Sequence, residues 1–420
     1  MARAGLGGHN PGMRIPLPAV LREERQFALL FAGQALSTLG DRVTFVALPF
    51  AVLAIGGTAA DVGWVIAAAT VPFLLFTLVG GVWADRLPRH RVMLVSDVVR
   101  CGTQVVAATL LAGGDARVWH LVALMAIFGT ADAFFSPALA GLVPLTVRPE
   151  RLQEANALRG LVMSAGLVAG PALAGGLVVA FGPGGALAAD AATFAVSAVF
   201  LARLRPRAGA PERAGDFLAE LRDGFRAVRS RSWVWSTLTA TAVYHLVVLP
   251  SVFVLGPVLA ERELGGASGW AVVVAAFGVG SIVGDVVALR WRPGRPLLVA
   301  AAALAVGSCQ ALIIGGGGSL AVIAVLEGVT GVAVSLCFTL WETALQTHIP
   351  EGSLSRVTSF DLLVTVGSMP VGMALAGPAA DAFGLHPTLA VMTLVGVPSA
   401  LALFAVRGVR RLSAVAEPGT

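Results

Sequence analysis

Ionisable side chains interrupt stretches of this chain that are otherwise almost wholly apolar: Asp41 and Arg42, Asp97 and Arg100, Asp132, Asp190, His245 beside Tyr244, and Glu327. A charge inside hydrocarbon is expensive, so each is a candidate for function by default. Carboxylates and imidazoles take up and release protons as their access to water changes, which is the chemistry of a proton carrier. Glu327 has no cationic partner in its own segment and is the leading candidate for that role. Asp97 and Arg100 are three apart, a spacing that lets them pair on one helix. Asp132 falls at a depth similar to Arg100, counted by helical rise. These three are expected to form an internal ion-pair cluster that sets helix packing, and Asp285 is expected to pair with Arg290 and Arg292.

The elements that must hold these groups are apolar segments at about 27–55, 60–84, 92–112, 118–140, 159–181, 186–204, 234–260, 269–289, 296–314, 319–341, 360–382 and 387–406. Each is near the length, about 20 residues, that crosses a bilayer as a helix. Mean hydropathy is +0.84, and 13% of residues are charged, against about 25% in a soluble domain. All 29 basic residues are arginine, and all but Arg42, Arg100, Arg117 and Arg262 fall in alternate gaps between the segments. Positive flanks resist translocation, so those gaps are cytoplasmic, and an even number of spans puts both termini there. The arginines therefore report topology, and the net charge of +5 is not read as a nucleic-acid surface. Residues 1–25 have no apolar core of a cleavable leader, so the first span is expected to stay as an anchor.

The class is thus all-α and polytopic. A cytoplasmic tail (residues 1–26) leads into a six-helix bundle (27–204). A linker (205–233) joins it to a second six-helix bundle (234–406), and a cytoplasmic tail (407–420) follows. In the linker Phe217, Leu218, Leu221, Phe225 and Val228 recur at helical spacing with Arg222, Arg226 and Arg229 on the other side, which suits a helix on the inner leaflet or a solvated linker helix. The halves echo each other: the loop around Arg86 corresponds to that around Arg292, and Gly170-Pro171 to Gly377-Pro378, at nearly one offset. Paired halves of this kind are the architecture of a rocker-type secondary transporter. No Walker loop, nucleophile–base set or metal-like spacing of Cys101, Cys309 and Cys337 points to an enzyme, a cofactor or a metal.

Two motifs carry a resemblance. Gly81-Val82-Trp83-Ala84-Asp85-Arg86-Leu87-Pro88-Arg89-His90-Arg91 resembles the loop 2–3 signature of the major facilitator superfamily, with Pro88 where glycine is usual. Gly166-Leu167-Val168-Ala169-Gly170-Pro171-Ala172-Leu173-Ala174-Gly175 resembles the helix 5 motif of the superfamily's antiporters, with Ala174 at the first of its paired glycines. Phe134-Phe135-Ser136-Pro137-Ala138, Leu142-Val143-Pro144, Trp341-Glu342-Thr343 and Pro370-Val371-Gly372 extend the likeness. Over essentially the whole chain it is similar to the twelve-helix exporters typified by the enterobactin exporter and the macrolide-efflux proteins.

The resemblance implies two pseudo-symmetric six-helix bundles and proton-coupled export of an amphiphilic drug, siderophore or secondary metabolite by a monomer in the inner membrane. It also implies a gating loop that latches the halves, formed by Gly81, Asp85, Arg86, Arg89 and Arg91. Close helix contact is implied at Gly166, Gly170, Pro171 and Gly175. In the superfamily helices 1, 4, 7 and 10 line the cavity, which points to Asp41, His245 and Glu327 for proton coupling. The partners implied are a small molecule, protons and the bilayer. An importer of a metabolite, or a scaffold or sensor on the same fold, are the alternatives.

Overall fold

A computed structural model of the protein describes residues 18–207, 225–226, 228–349 and 351–413, with backbone alone for 78–86, 149, 153, 156, 157, 164, 167, 289, 351–356, 359, 362 and 366. In lipid every backbone polar group must be satisfied within its own segment, which leaves helices as the economical answer for apolar runs. The described residues form helices and no strand. After a short helix, Ala19–Glu23, come α1 (Arg25–Ala54), α2 (Ala59–Arg86), α3 (Arg89–Gly113) and α4 (Val118–Thr146). The run Leu152–Ala202 is broken at Gly182, whose φ of 71° suits glycine alone. It therefore makes two spans, α5 (152–181) and α6 (183–202). Then follow α7 (Ser232–Glu263), α8 (Gly266–Arg290), α9 (Pro296–Gly315), α10 (Leu320–His348), α11 (Glu351–Phe383) and α12 (Leu385–Leu401). Eleven runs among the described residues are long and apolar enough to cross a membrane, and the break at Gly182 makes them twelve spans. Large apolar side chains such as Phe181 and Leu394, 73% and 72% exposed, cover the outward surface.

Three buried apolar clusters organise the interior. One takes its residues from the helix halves remote from the termini and mixes both parts of the chain: Val46 and Phe50 of α1 and Val62 of α2 share it with Leu255 of α7, Trp270 of α8 and Met373 of α11. At the end that carries the termini, the cores are separate. Phe27, Met93, Leu142 and Leu201 form one, and Trp233, Leu304, Leu340 and Leu403 the other. The first six spans and the last six are therefore joined in one half of the membrane and parted in the other.

Close backbone approach makes the joined half tight. A Cβ on Gly63 of α2 would strike the Met373 carbonyl of α11, and one on Gly377 would strike Ala59 and Ala60 of α2. On the other flank Gly175 of α5 lies against Ala271 and Ser268 of α8. Small residues are what allow helices to meet this closely.

At the end that carries the termini, Arg148 donates to Glu24 at 2.6 Å and to Glu23 at 3.0 Å, and Arg151 donates to Glu23 at 2.5 Å and to Glu154 at 2.9 Å. The Val20 backbone N–H donates to Glu154 at 3.1 Å. The hydrogen bond from Arg148 holds the Glu24 carboxyl below its ordinary value, and the one from Val20 does the same for Glu154. Of the linker, Phe217, Leu218, Leu221 and Arg222 lie outside the described residues. Val228 is buried in the core of the second half, and the Phe225 ring sits 5.8 Å from that of Phe360.

Candidate functional site

The second half holds a buried polar relay at mid-height. Helix α7 widens into π turns at Tyr244–Val248 and Ser251–Leu255, on either side of Leu249 and Pro250, a distortion frequent at functional sites. There the Tyr244 hydroxyl donates to Gln310 Oε1 of α9 at 2.5 Å, and Gln310 Nε2 donates to Glu327 Oε2 of α10 at 3.0 Å. Thr330 donates to the same oxygen at 2.9 Å. Glu327 is 2% exposed, and its Oε1 has no hydrogen-bond partner among the described residues. Helix α10 gives Ile323 to the joined core and Val334 to the core of the second half, so Glu327 marks the boundary between the two.

Glu327 and Gln310 line a cavity of about 300 Å³ between the halves. Its walls are aromatic and aliphatic: Phe45 from α1, Leu249 and Phe253 from α7, Trp270 and Phe277 from α8, and Met369 from α11. The rings of Phe45 and Phe253 meet edge-on at 4.5 Å across the halves. Arg42 and Pro171 complete the first-half wall. Asp41 and His245 do not line this cavity. His245 Nδ1 lies 2.7 Å from the Thr241 carbonyl, with its ring against Tyr244 and Phe338.

The helix 5 motif has a specific neighbour here. A Cβ on Gly170 would collide with the Arg42 stem, and one on Gly166 would touch Arg42 Cγ at 3.5 Å and Thr38 at 3.9 Å. The small residues before Pro171 thus form a cradle for one arginine of α1, while Gly175 serves the contact with α8. Arg42 was visible in the sequence as a charge inside a span, but its orientation was not.

Asp97, Arg100 and Asp132 are brought together in the first half. Arg100, 1% exposed, donates to Asp97 one helical turn away and to Asp132 of α4 at 3.1 Å. Asp41 of α1 approaches the same guanidinium at 4.0 Å, so it faces Arg100 and not Arg42. The rings of Phe135 and Phe194 lie 4.1 and 4.4 Å from the guanidinium carbon, within cation–π range. One turn along α3, Gln104 donates to Asp190 of α6 at 2.8 Å, and Thr44 of α1 donates to the same carboxylate at 2.7 Å.

In the loop after α2, the side chains of Gly81, Asp85 and Arg86 lie outside the described residues. Arg89 donates to the Gly141 carbonyl of α4 at 2.7 Å, where a Cβ would strike the guanidinium. Arg91 lines an apolar groove between α3 and α4. Asp285 corrects an expectation: it accepts hydrogen bonds from Ser335 and, at 3.4 Å, from Thr339 of α10, and it forms no ion pair with Arg290 or Arg292. Arg290 is five residues on, off the face of Asp285, and Arg292 stands beyond the helix end.

Twelve spans, an internal repeat and a cavity between the halves define a multi-pass membrane transporter. The model of the Major Facilitator Superfamily matches residues 30–365, and the chain belongs to that family. It is 31% identical to the multidrug efflux pump Tap of Mycolicibacterium fortuitum, over 88% of this chain and 91% of the relative. It is 22% identical to macrolide efflux protein A of Streptococcus pyogenes, over 86% and 91%. Among solved structures it resembles the nucleoside transporter NupG, with a TM-score of 0.70, 13% identity and 90% and 98% coverage. A bacterial homologue of the iron transporter ferroportin in an inward-facing state matches with a TM-score of 0.67, 18% identity and 91% and 99% coverage. These two likenesses speak for the fold alone.

Proposed function

We propose that this chain is a proton-coupled exporter of amphiphilic small molecules, working by alternating access as a monomer in the inner membrane with both termini in the cytoplasm. The observation that carries the reading is Glu327, a buried carboxylate beside an aromatic cavity, with one oxygen held by two donors and the other without a partner among the described residues. A group that exchanges its proton as access changes belongs at such a place. The efflux relatives support export. The alternate distribution of arginines supports the sidedness. With that sidedness, the joined outer half and parted inner half correspond to a state open to the cytoplasm.

Gly81, Asp85, Arg86, Arg89 and Arg91 are assigned to the latch that closes the cytoplasmic side in the opposite state. Asp97, Arg100 and Asp132 fasten α3 to α4. Asp41, facing the same arginine from α1, is the second candidate for coupling, and His245 the third.

Purified protein in proteoliposomes, with an imposed pH gradient and a panel of lipophilic fluorescent dyes, tests this reading. Dye should accumulate against its own gradient and cease to do so when a protonophore collapses the pH difference. Dye flux that ignores the gradient would overturn proton coupling.

A further inference from the structure

Arg42 is an arginine in the wall of a membrane protein's cavity that makes no ion pair among the described residues. Its stem is seated in the α5 cradle of Gly166 and Gly170, which holds the head at the cavity. No hydrogen bond or ion pair to the described residues engages its guanidinium. The adjacent Asp41 attracts it through space but faces Arg100 on another side of α1. An unpaired guanidinium among apolar spans is costly and marks a substrate path by default. Its planar fork of donors matches a carboxylate or a similar delocalised anion better than any other group.

The opposite wall carries the complementary feature. Glu327 borders the same cavity, and its Oε1 is buried without a hydrogen-bond partner among the described residues. Glu327 and Arg42 come from different halves of the chain, line the same cavity and do not pair with each other. Between them lie the rings of Phe45, Phe253, Trp270 and Phe277, surfaces suited to a flat aromatic body.

We propose that Arg42 recognises an anionic group of the transported molecule, so that the cavity takes amphoteric aromatic compounds, anion toward α1 and amine or other donor toward Glu327. This rests on reading the cavity as the transport site. The orientation also gives α5 a definite task. Its glycines set where Arg42 can stand, so the motif contributes to selectivity as well as to packing.

Norfloxacin, its ethyl ester and its N-acetyl derivative form a matched fluorescent set: amphoteric, lacking the carboxylate, and lacking the cationic amine. Binding is read by fluorescence anisotropy to the full-length protein in nanodiscs, without any gradient. Wild type should bind norfloxacin about tenfold more tightly than its ester, as one charge-assisted contact would give. Arg42→Gln should abolish that preference, and Arg42→Lys should keep part of it. Glu327→Gln should instead reduce the preference for norfloxacin over the N-acetyl compound. Equal wild-type affinity for norfloxacin and its ester, or a preference that survives Arg42→Gln, would overturn the inference. Because the wild-type comparison needs no variant, a misfolded Arg42→Gln protein does not shield it. Proton-driven uptake in proteoliposomes is read separately: its absence with the preference intact would sink the exporter reading alone, and transport without the preference would sink this inference alone.

Discussion

Gln310 donates to Glu327 at 3.0 Å, and Gln104 precedes Gln310 by as many residues as Arg86 precedes Arg292. Gln104 also donates to a buried carboxylate, Asp190, at 2.8 Å. Each half of the molecule thus uses its third helix to present a glutamine to an acid at mid-height, held by a hydroxyl from its first helix: Thr44 bonds the acid in one half, Tyr244 the glutamine in the other. The acid comes from the sixth helix in the first half and from the fourth in the second. That difference leaves Asp190 enclosed by donors and Glu327 half free.

Glu327→Gln is expected to separate coupling from binding. The amide mimics a carboxyl that never loses its proton and can keep the contacts of Gln310 and Thr330 on one side. Uphill export driven by a proton gradient should fail, while downhill exchange of labelled substrate falls by no more than about threefold, the loss of one modest hydrogen bond. Both fluxes are measured in the same vesicles, with Asp41→Asn and His245→Ala alongside. Normal uphill export by Glu327→Gln would pass the role to Asp41, provided Asp41→Asn uncouples.

Gly170→Leu should insert and express but lose transport. The added side chain occupies the space of the Arg42 stem, so α1 and α5 must move apart or the arginine must leave its cradle. Surface expression and dye efflux in whole cells check this. Efflux within about twofold of wild type, a change no larger than a few tenths of a kcal/mol, would remove the cradle from the mechanism.

Arg100→Leu is a stability prediction. It strips the cation from Asp97, Asp132 and Asp41 together, and removing one partner of a buried ion pair costs about 3–5 kcal/mol. Thermal unfolding in detergent should show a large downward shift. Asp132→Asn, which leaves the pair with Asp97 in place, should show a smaller one.

Acid should loosen the short N-terminal helix before the spans. Glu24 and Glu154 have folded-state values below their ordinary 4.5. Their contribution to stability is therefore present above that value and is lost as pH falls through the folded values beneath it. Protection of residues 19–24 against hydrogen exchange, relative to the intrinsic rate, should fall as pH drops from about 6 to about 3, and Glu154→Gln should weaken that response. Exchange that follows the intrinsic rate alone would show that these contacts do not fasten the helix.

The spans themselves were legible because a bilayer demands long apolar runs, and the Gly-Pro at residues 182–183 falls inside the gap that hydropathy placed between 181 and 186. The proximity of Asp97, Arg100 and Asp132 could be counted from helical rise. What could not be read was direction. These helices are apolar almost all round, so periodicity does not say which face meets which neighbour. Hence the partner of Asp41, which is Arg100, cannot be read from the sequence, and the arginines near Asp285 in sequence lie off its helix face. The π turns of α7 left no trace in composition. The glutamines carry no charge to single them out, and only the internal repeat marks them, since Gln104 and Gln310 share its offset.

The layer where Val46, Leu255, Trp270 and Met373 pack into one core also has an electrical consequence. In the proposed cytoplasm-open state, water entering from the parted side would bring its high dielectric up toward Glu327, and the resting potential would drop mainly across the fused layer beyond it. A proton passing between Glu327 and the far side would cross most of that drop, and a potential of about 100 mV does roughly 2.3 kcal/mol of work on a unit charge that crosses all of it. Efflux through this protein should then respond to voltage even when the pH on the two sides is equal.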